Sequence, residues 1–141
     1  MTYQEWFDDF AQKHKRVVDK LLNRGLNKEQ IIDYFDFDNM VQKEPNFCPL
    51  YAQNKKCHQM KSLNCYLCAC PNFRFNDRGF QKVEERTKYS FCDIDSKDGR
   101  VGVYGDAIHQ DCSGCVVPHY TEYIEKRFGL DWKKMMSECH I

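Results

Sequence analysis

A chain of 141 residues, 42% hydrophobic and 14% aromatic, suits a single domain with one modest core. Its 21 Lys/Arg balance 21 Asp/Glu, which argues against a dedicated nucleic-acid binder. Mean hydropathy is −0.74 and no run approaches ~18 apolar residues, so no membrane span is expected.

The N-terminal segment MTYQEWFDDF is acidic where a secretory leader needs a basic region and then an apolar one. This predicts a cytoplasmic protein, in a compartment that keeps thiols reduced. Apolar residues recur at three- and four-residue steps from Trp6 to Leu22, which predicts a helix stopped by Gly25. Asn27 then caps a second predicted helix through NKEQIIDYFDFDNMVQKE, ended by Pro45. Two helices around a short turn could form a DNA-binding motif. A hairpin packed on the rest of the domain is the better reading, because Asp33, Asp36 and Asp38 suit phosphate badly. His14, in a charged helix, is expected to be solvated.

Residues 46–119 carry three of the four prolines, most of the glycines and no long periodic run. SKDGRVGVYGD could hold one hairpin, with Asp98-Gly99 as its turn. Helical patterning returns in TEYIEKRFG and LDWKKMMSECHI. The expected fold is a small α-rich, metal-stabilised domain. It comprises a helical hairpin over 1–45, a loop-built cysteine-rich centre with little β over 46–120, and C-terminal helices over 121–141.

Nine cysteines, an odd number, argue for metal rather than a disulfide framework in a reducing compartment. In order they read C-x8-C-H-x6-C-x2-C-x-C-P, then Cys92, then C-x2-C-x3-H. The pairs Cys65/Cys68 and Cys112/Cys115 have the spacing of a metal knuckle, whose two sulfurs converge on one ion. Neither follows a convincing strand, as a redox dithiol would. Candidate ligands are Cys48, Cys57, Cys65, Cys68, Cys70, Cys92, Cys112, Cys115 and His119. His119 could instead orient a ligand. His58 is a weaker candidate, and Cys139-His140 is expected to fray. The preferred division places Cys65, Cys68, Cys112 and Cys115 at one centre and Cys48, Cys57, Cys70 and Cys92 at another. Residues 48–92 hold eight Lys/Arg against three Asp/Glu, an excess that thiolates would balance or that is simply a solvated face.

CPLYAQNKKCH, NCYLCACPNF and DCSGCVVPHY resemble the cysteine-rich small domain, a metal-binding module of bacteria and archaea. The resemblance covers about residues 47–120, outside the N-terminal helices. It implies metal ligands at Cys48, Cys57, His58, Cys65, Cys68, Cys70, Cys112, Cys115 and His119, with Cys92 as a central lone cysteine. Some relatives are joined to enzymes of cobalamin biosynthesis, so it also implies service to a larger enzyme. The FCDID context and the C-x8-C spacing depart from the family pattern.

Thiolates suit zinc and iron–sulfur alike. The C-x2-C-x-C-P run and eight thiols lean toward iron–sulfur, with 4Fe-4S clusters expected, and zinc ions are the alternative. No phosphate loop, Ser/His/Asp arrangement or carboxylate pair marks an enzyme. Three classes stay open: an accessory or electron-transfer module serving another protein or enzyme, a structural zinc module for protein–protein interaction, and an enzyme.

Overall fold

The computed structural model describes residues 2–68, 70–112 and 114–136. Helix α1 runs Tyr3–Asn23. It starts at a capping box, in which Thr2 accepts from the Glu5 N–H and Glu5 accepts from the Thr2 N–H. The distant Asp77 carboxylate accepts from the next two amides, Tyr3 at 2.8 Å and Gln4 at 3.0 Å. The helix end is a Schellman motif. Gly25, at φ +77°, donates to Leu22 while Leu26 donates to Leu21.

The predicted second helix is two helices, α2 Lys28–Tyr34 and α3 Phe37–Lys43. A backbone partner breaks it at Phe35–Asp36. Phe37 N–H donates to Leu63, Cys65 N–H donates to Phe35, and Asp36 bridges Asn64. The segment carrying the first knuckle is thereby bonded directly to the helical region. Ile31, Ile32 and Tyr34 are buried, so this pair packs on the domain.

The expectation of an α-rich domain with little β is wrong. Among the described residues the fold is mixed, with α4 Thr121–Arg127, α5 Trp132–Met135 and six strands in two sheets. β1 Phe73–Phe75 pairs antiparallel with β4 Ser90–Cys92. The other sheet is ordered β2-β3-β6-β5, from β2 Gln81–Val83, β3 Arg86–Lys88, β5 Arg100–Tyr104 and β6 Ala107–Asp111. β3 and β6 are parallel and the other pairs antiparallel. Four of the strands have three residues, too few for alternation to be legible. A hairpin is present near its expected place, but its turn is Gly105-Asp106, with Gly105 at φ +63°, and Asp98-Gly99 lies ahead of β5.

The core is built around Phe35, Tyr66 and Phe75, with Leu21, Ile31, Ile124 and Trp132 packed into the same cluster. His14, expected in water, is fully buried between Phe35 and Tyr66. No helix among the described residues is long and apolar enough to cross a membrane.

Candidate metal centre

The two knuckles share one backbone turn. Cys68 N–H donates to the Cys65 carbonyl at 3.3 Å, and Cys115 N–H to the Cys112 carbonyl at 3.0 Å. Cys65 is fixed by its bond to Phe35, and Cys112 follows the last residue of β6. Cys92 ends β4, opposite Phe73. Cys70 has φ +58°, a left-handed conformation uncommon for a side-chain-bearing residue. Its N–H donates to Leu67 while its carbonyl accepts from Phe73, so the chain reverses there into β1.

A cavity of about 970 Å³ lies between the knuckles. Cys57, Cys68, Cys70, Cys92, Cys112, Cys115, His58 and His119 all line it. Two neighbourhoods of thiols surround this space. Burial, then the nearby Cys70, Cys115 and Cys92, pushes the Cys112 thiol up to about 12. Burial first, and Cys115 and Cys92 after it, also raises Cys70. On the other side Cys65 is pushed up to about 12 by burial, with Cys57 and Cys48 adding to it and a Tyr51 hydrogen bond opposing it. The buried Tyr51 phenol is raised by burial and by Cys65, Cys48 and Cys68 around it.

Cys112 thus has Cys70, Cys92 and Cys115 near it, and Cys65 has Cys57 and Cys48, with Cys68 near the same Tyr51 phenol. These neighbourhoods favour a division other than the one read from the spacing, which joined the two knuckles at one centre. Each knuckle instead meets two cysteines from outside its own turn. The raised thiols Cys65, Cys70 and Cys112 hold their protons, and a bound cation would displace them.

His119 belongs with the second group. It lies in a 3-10 turn, Val117–His119, and is buried. Its Nδ1–H donates to the Asn64 main-chain carbonyl at 2.8 Å, while Nε2 faces the Cys57 sulfur at 3.6 Å. Burial, above all, holds its pKa below the usual range, so the ring is neutral. A neutral imidazole with Nδ1 anchored on a carbonyl is the form that offers Nε2 to a metal. The ligand atoms of Cys57, His58 and His119 lie within 4.8 Å of one another.

Residues the spacing did not suggest hold the thiols in place. Ser96 donates its N–H to the Cys92 sulfur at 3.4 Å, and its Oγ lies 3.3 Å from the Cys115 sulfur. Arg74, one of the eight Lys/Arg between residues 48 and 92, is buried and is no part of a solvated face. It donates to the Pro71 carbonyl at 2.6 Å and to Asp93 at 3.2 Å, linking the residues that follow Cys70 and Cys92. Lys56 donates to the Met60 and Lys61 carbonyls and closes the loop that carries Cys57 and His58. Cys139 and His140 lie outside the described residues. Comparisons with family models, with curated proteins and with solved structures return no match for this chain.

Proposed function

We propose that the chain is a cytoplasmic metal-binding protein with two cysteine-ligated centres of the iron–sulfur type, 4Fe-4S clusters in the first instance. It acts as an accessory or electron-transfer module for another protein or enzyme. The observation that carries this reading is that six thiols, Cys57, Cys68, Cys70, Cys92, Cys112 and Cys115, line one cavity, while Cys48 and Cys65 lie near Cys57.

Cys70, Cys92, Cys112 and Cys115 would hold one cluster, with the Ser96 amide hydrogen-bonding the Cys92 sulfur. Cys48, Cys57, Cys65 and Cys68 would hold the other, with His119 replacing or supporting one thiolate. When bound, such clusters supply one-electron chemistry, their potentials set by burial and by hydrogen bonds to sulfur. A tetrahedral zinc ion with 2.3 Å bonds would draw its sulfurs to about 3.8 Å apart. Among the described residues only Cys57, His58 and His119 form a group of three within 4.8 Å, and the other thiols show no spacing that tight, which supports clusters over single ions.

That compact group favours a second reading for its own side: zinc held by Cys57, His58, His119 and one further thiolate, in a structural module for protein–protein interaction. Metal and acid-labile sulfide analysis of anaerobically purified protein separates the readings. Brown protein with iron and sulfide in equal amounts and a band bleached by dithionite is the expected result. Colourless protein with about two zinc ions overturns the iron–sulfur reading.

A further inference from the structure

A ring-lined part of the same cavity adjoins Cys112, which lies near the Tyr3 hydroxyl. Tyr3 and Trp6 from α1, Phe73 from β1, Tyr89 just before β4, and His109 from β6 form its walls. The Tyr89 and His109 rings stack at 5.4 Å with 17° between their planes, which fixes the imidazole against rotation. Trp6 and Phe73 meet edge to face at 6.1 Å. The carboxylate at this end, Asp77, accepts from the first amides of α1 and is engaged there.

A chain of hydrogen bonds runs through these walls. Gln110 N–H donates to Ser90 Oγ at 2.7 Å, Ser90 Oγ meets the Tyr3 hydroxyl at 3.0 Å, and that hydroxyl meets His109 Nδ1 at 2.6 Å. A backbone amide can only donate. The ordering that uses every hydrogen within the chain runs from Gln110 to Ser90, to Tyr3, to Nδ1. Nε2 is then the proton-bearing nitrogen, on a ring that lines the cavity. Burial raises the Tyr3 phenol first of all, so it stays protonated at neutral pH and keeps this order.

We infer that this end binds a small, neutral, planar ring compound whose carbonyl oxygen accepts a hydrogen bond from His109 Nε2–H. Ring walls favour a flat apolar body, the His109 Nε2–H favours a carbonyl acceptor, and the engaged carboxylate leaves little to attract a cation. Cavities of 300–1,000 Å³ with mostly apolar walls and a few placed polar groups are the ordinary form of small-molecule sites. The inference goes beyond the metal reading, since no cysteine takes part in it.

The test is calorimetric titration of the anaerobic protein, its metal content measured separately, with indanone and with indane. The first is a planar ketone unreactive toward thiols, and the second is the same skeleton without the acceptor. Indanone should bind saturably at one site, at least about tenfold more tightly than indane, because a site built around a donor rejects a ligand lacking the acceptor. His109→Phe, which keeps a ring and removes the donor, should bring indanone down to the affinity of indane. Indane binding as well as indanone overturns the inference, and needs no variant that folds. So does the absence of saturable heat in metal-replete protein. Selective indanone binding by protein that holds no metal leaves the inference standing and removes the proposed function instead.

Discussion

His119 and Asn64 determine each other's orientation. The imidazole Nδ1–H donates to the Asn64 main-chain carbonyl, and the Asn64 N–H returns a bond to the His119 carbonyl at 3.2 Å. The Asn64 side chain is itself clamped. It donates to the Ile32 carbonyl at 2.7 Å and accepts from the Tyr66 N–H at 2.9 Å. Four hydrogen bonds meet at Asn64 and connect the helical region, through Ile32, to the imidazole whose Nε2 faces Cys57.

Asn64→Ala should therefore act at a distance. It strands the buried Tyr66 N–H and Ile32 carbonyl, at a cost of about 1–3 kcal/mol in folding stability. It also frees the carbonyl that orients His119, and metal affinity on the Cys57 side should fall roughly 10–100-fold, the usual result of losing a ligand-orienting partner. His119→Ala should lower metal on the same side without stranding the Asn64 side chain. Competition with a chromophoric chelator measures both. Unchanged affinity in His119→Ala would remove the residue from the site.

Arg74 offers a second test of how the thiols are held. Its guanidinium ties Pro71, next to Cys70, to Asp93, next to Cys92. Arg74→Met keeps the apolar stem and deletes these two bonds together with the one to the Phe73 carbonyl at 3.3 Å. The cost should be about 1–3 kcal/mol, since the Pro71 carbonyl loses a charged donor while Asp93, half exposed, can turn to water. Denaturant midpoints read the stability. Metal stoichiometry should drop on the Cys70 side alone, and an equal loss on both sides would contradict the role assigned to Arg74.

Parts of this molecule were legible because their signals are local. Gly25 stops α1, Asn27 caps α2, and the two C-x2-C knuckles fold into matching turns. The sheets were not legible, because strands such as Gln81–Val83 and Arg86–Lys88 are short, mostly polar and without a buried residue. They exist through pairing with distant partners, such as Thr87 beside Ala107. The break at Asp36 and the burial of His14 have the same origin. Each depends on the segment 63–66, which a periodicity argument along one helix does not see. The grouping of the thiols is also long-range. Spacing finds both knuckles, but the left-handed turn at Cys70 and the end of β4 decide which further cysteines each one meets.

The burial of His14 makes stability depend on pH. Its Nε2 donates to the Tyr66 carbonyl at 3.1 Å, while Nδ1 has no hydrogen-bond partner among the described residues. Burial is the main cause that lowers its pKa to about 4 from an ordinary 6.5. The folded ring therefore stays neutral while the unfolded ring takes up a proton below pH ~6.5. Stability should be fully present above that value and fall as pH drops toward about 4, by roughly 3 kcal/mol from this group. His14→Phe should flatten this part of the stability–pH curve. A curve equally steep in the variant would assign the loss to other groups.

The division of the thiols yields the sharpest prediction, because two partitions of the same eight cysteines give opposite results in one double variant. In the structure Cys65 neighbours Cys57 and Cys48, while Cys112 neighbours Cys70, Cys92 and Cys115. Cys65→Ser and Cys112→Ser should each remove one centre, and the pair together should remove both. If the two knuckles shared a centre, the pair would lose no more than either single variant. Cys70→Ser with Cys112→Ser is the complementary pair, expected to lose only one centre because both thiols serve it. Loss of one ligand also forfeits the folding free energy tied to that metal, so each variant should be assayed at low temperature and its fold checked by circular dichroism. Metal stoichiometry in the three single and two double preparations then reads the partition directly. Additive loss in Cys70/Cys112 together with non-additive loss in Cys65/Cys112 would reverse the grouping. The reading of the cavity as a space between two separate centres would fall with it.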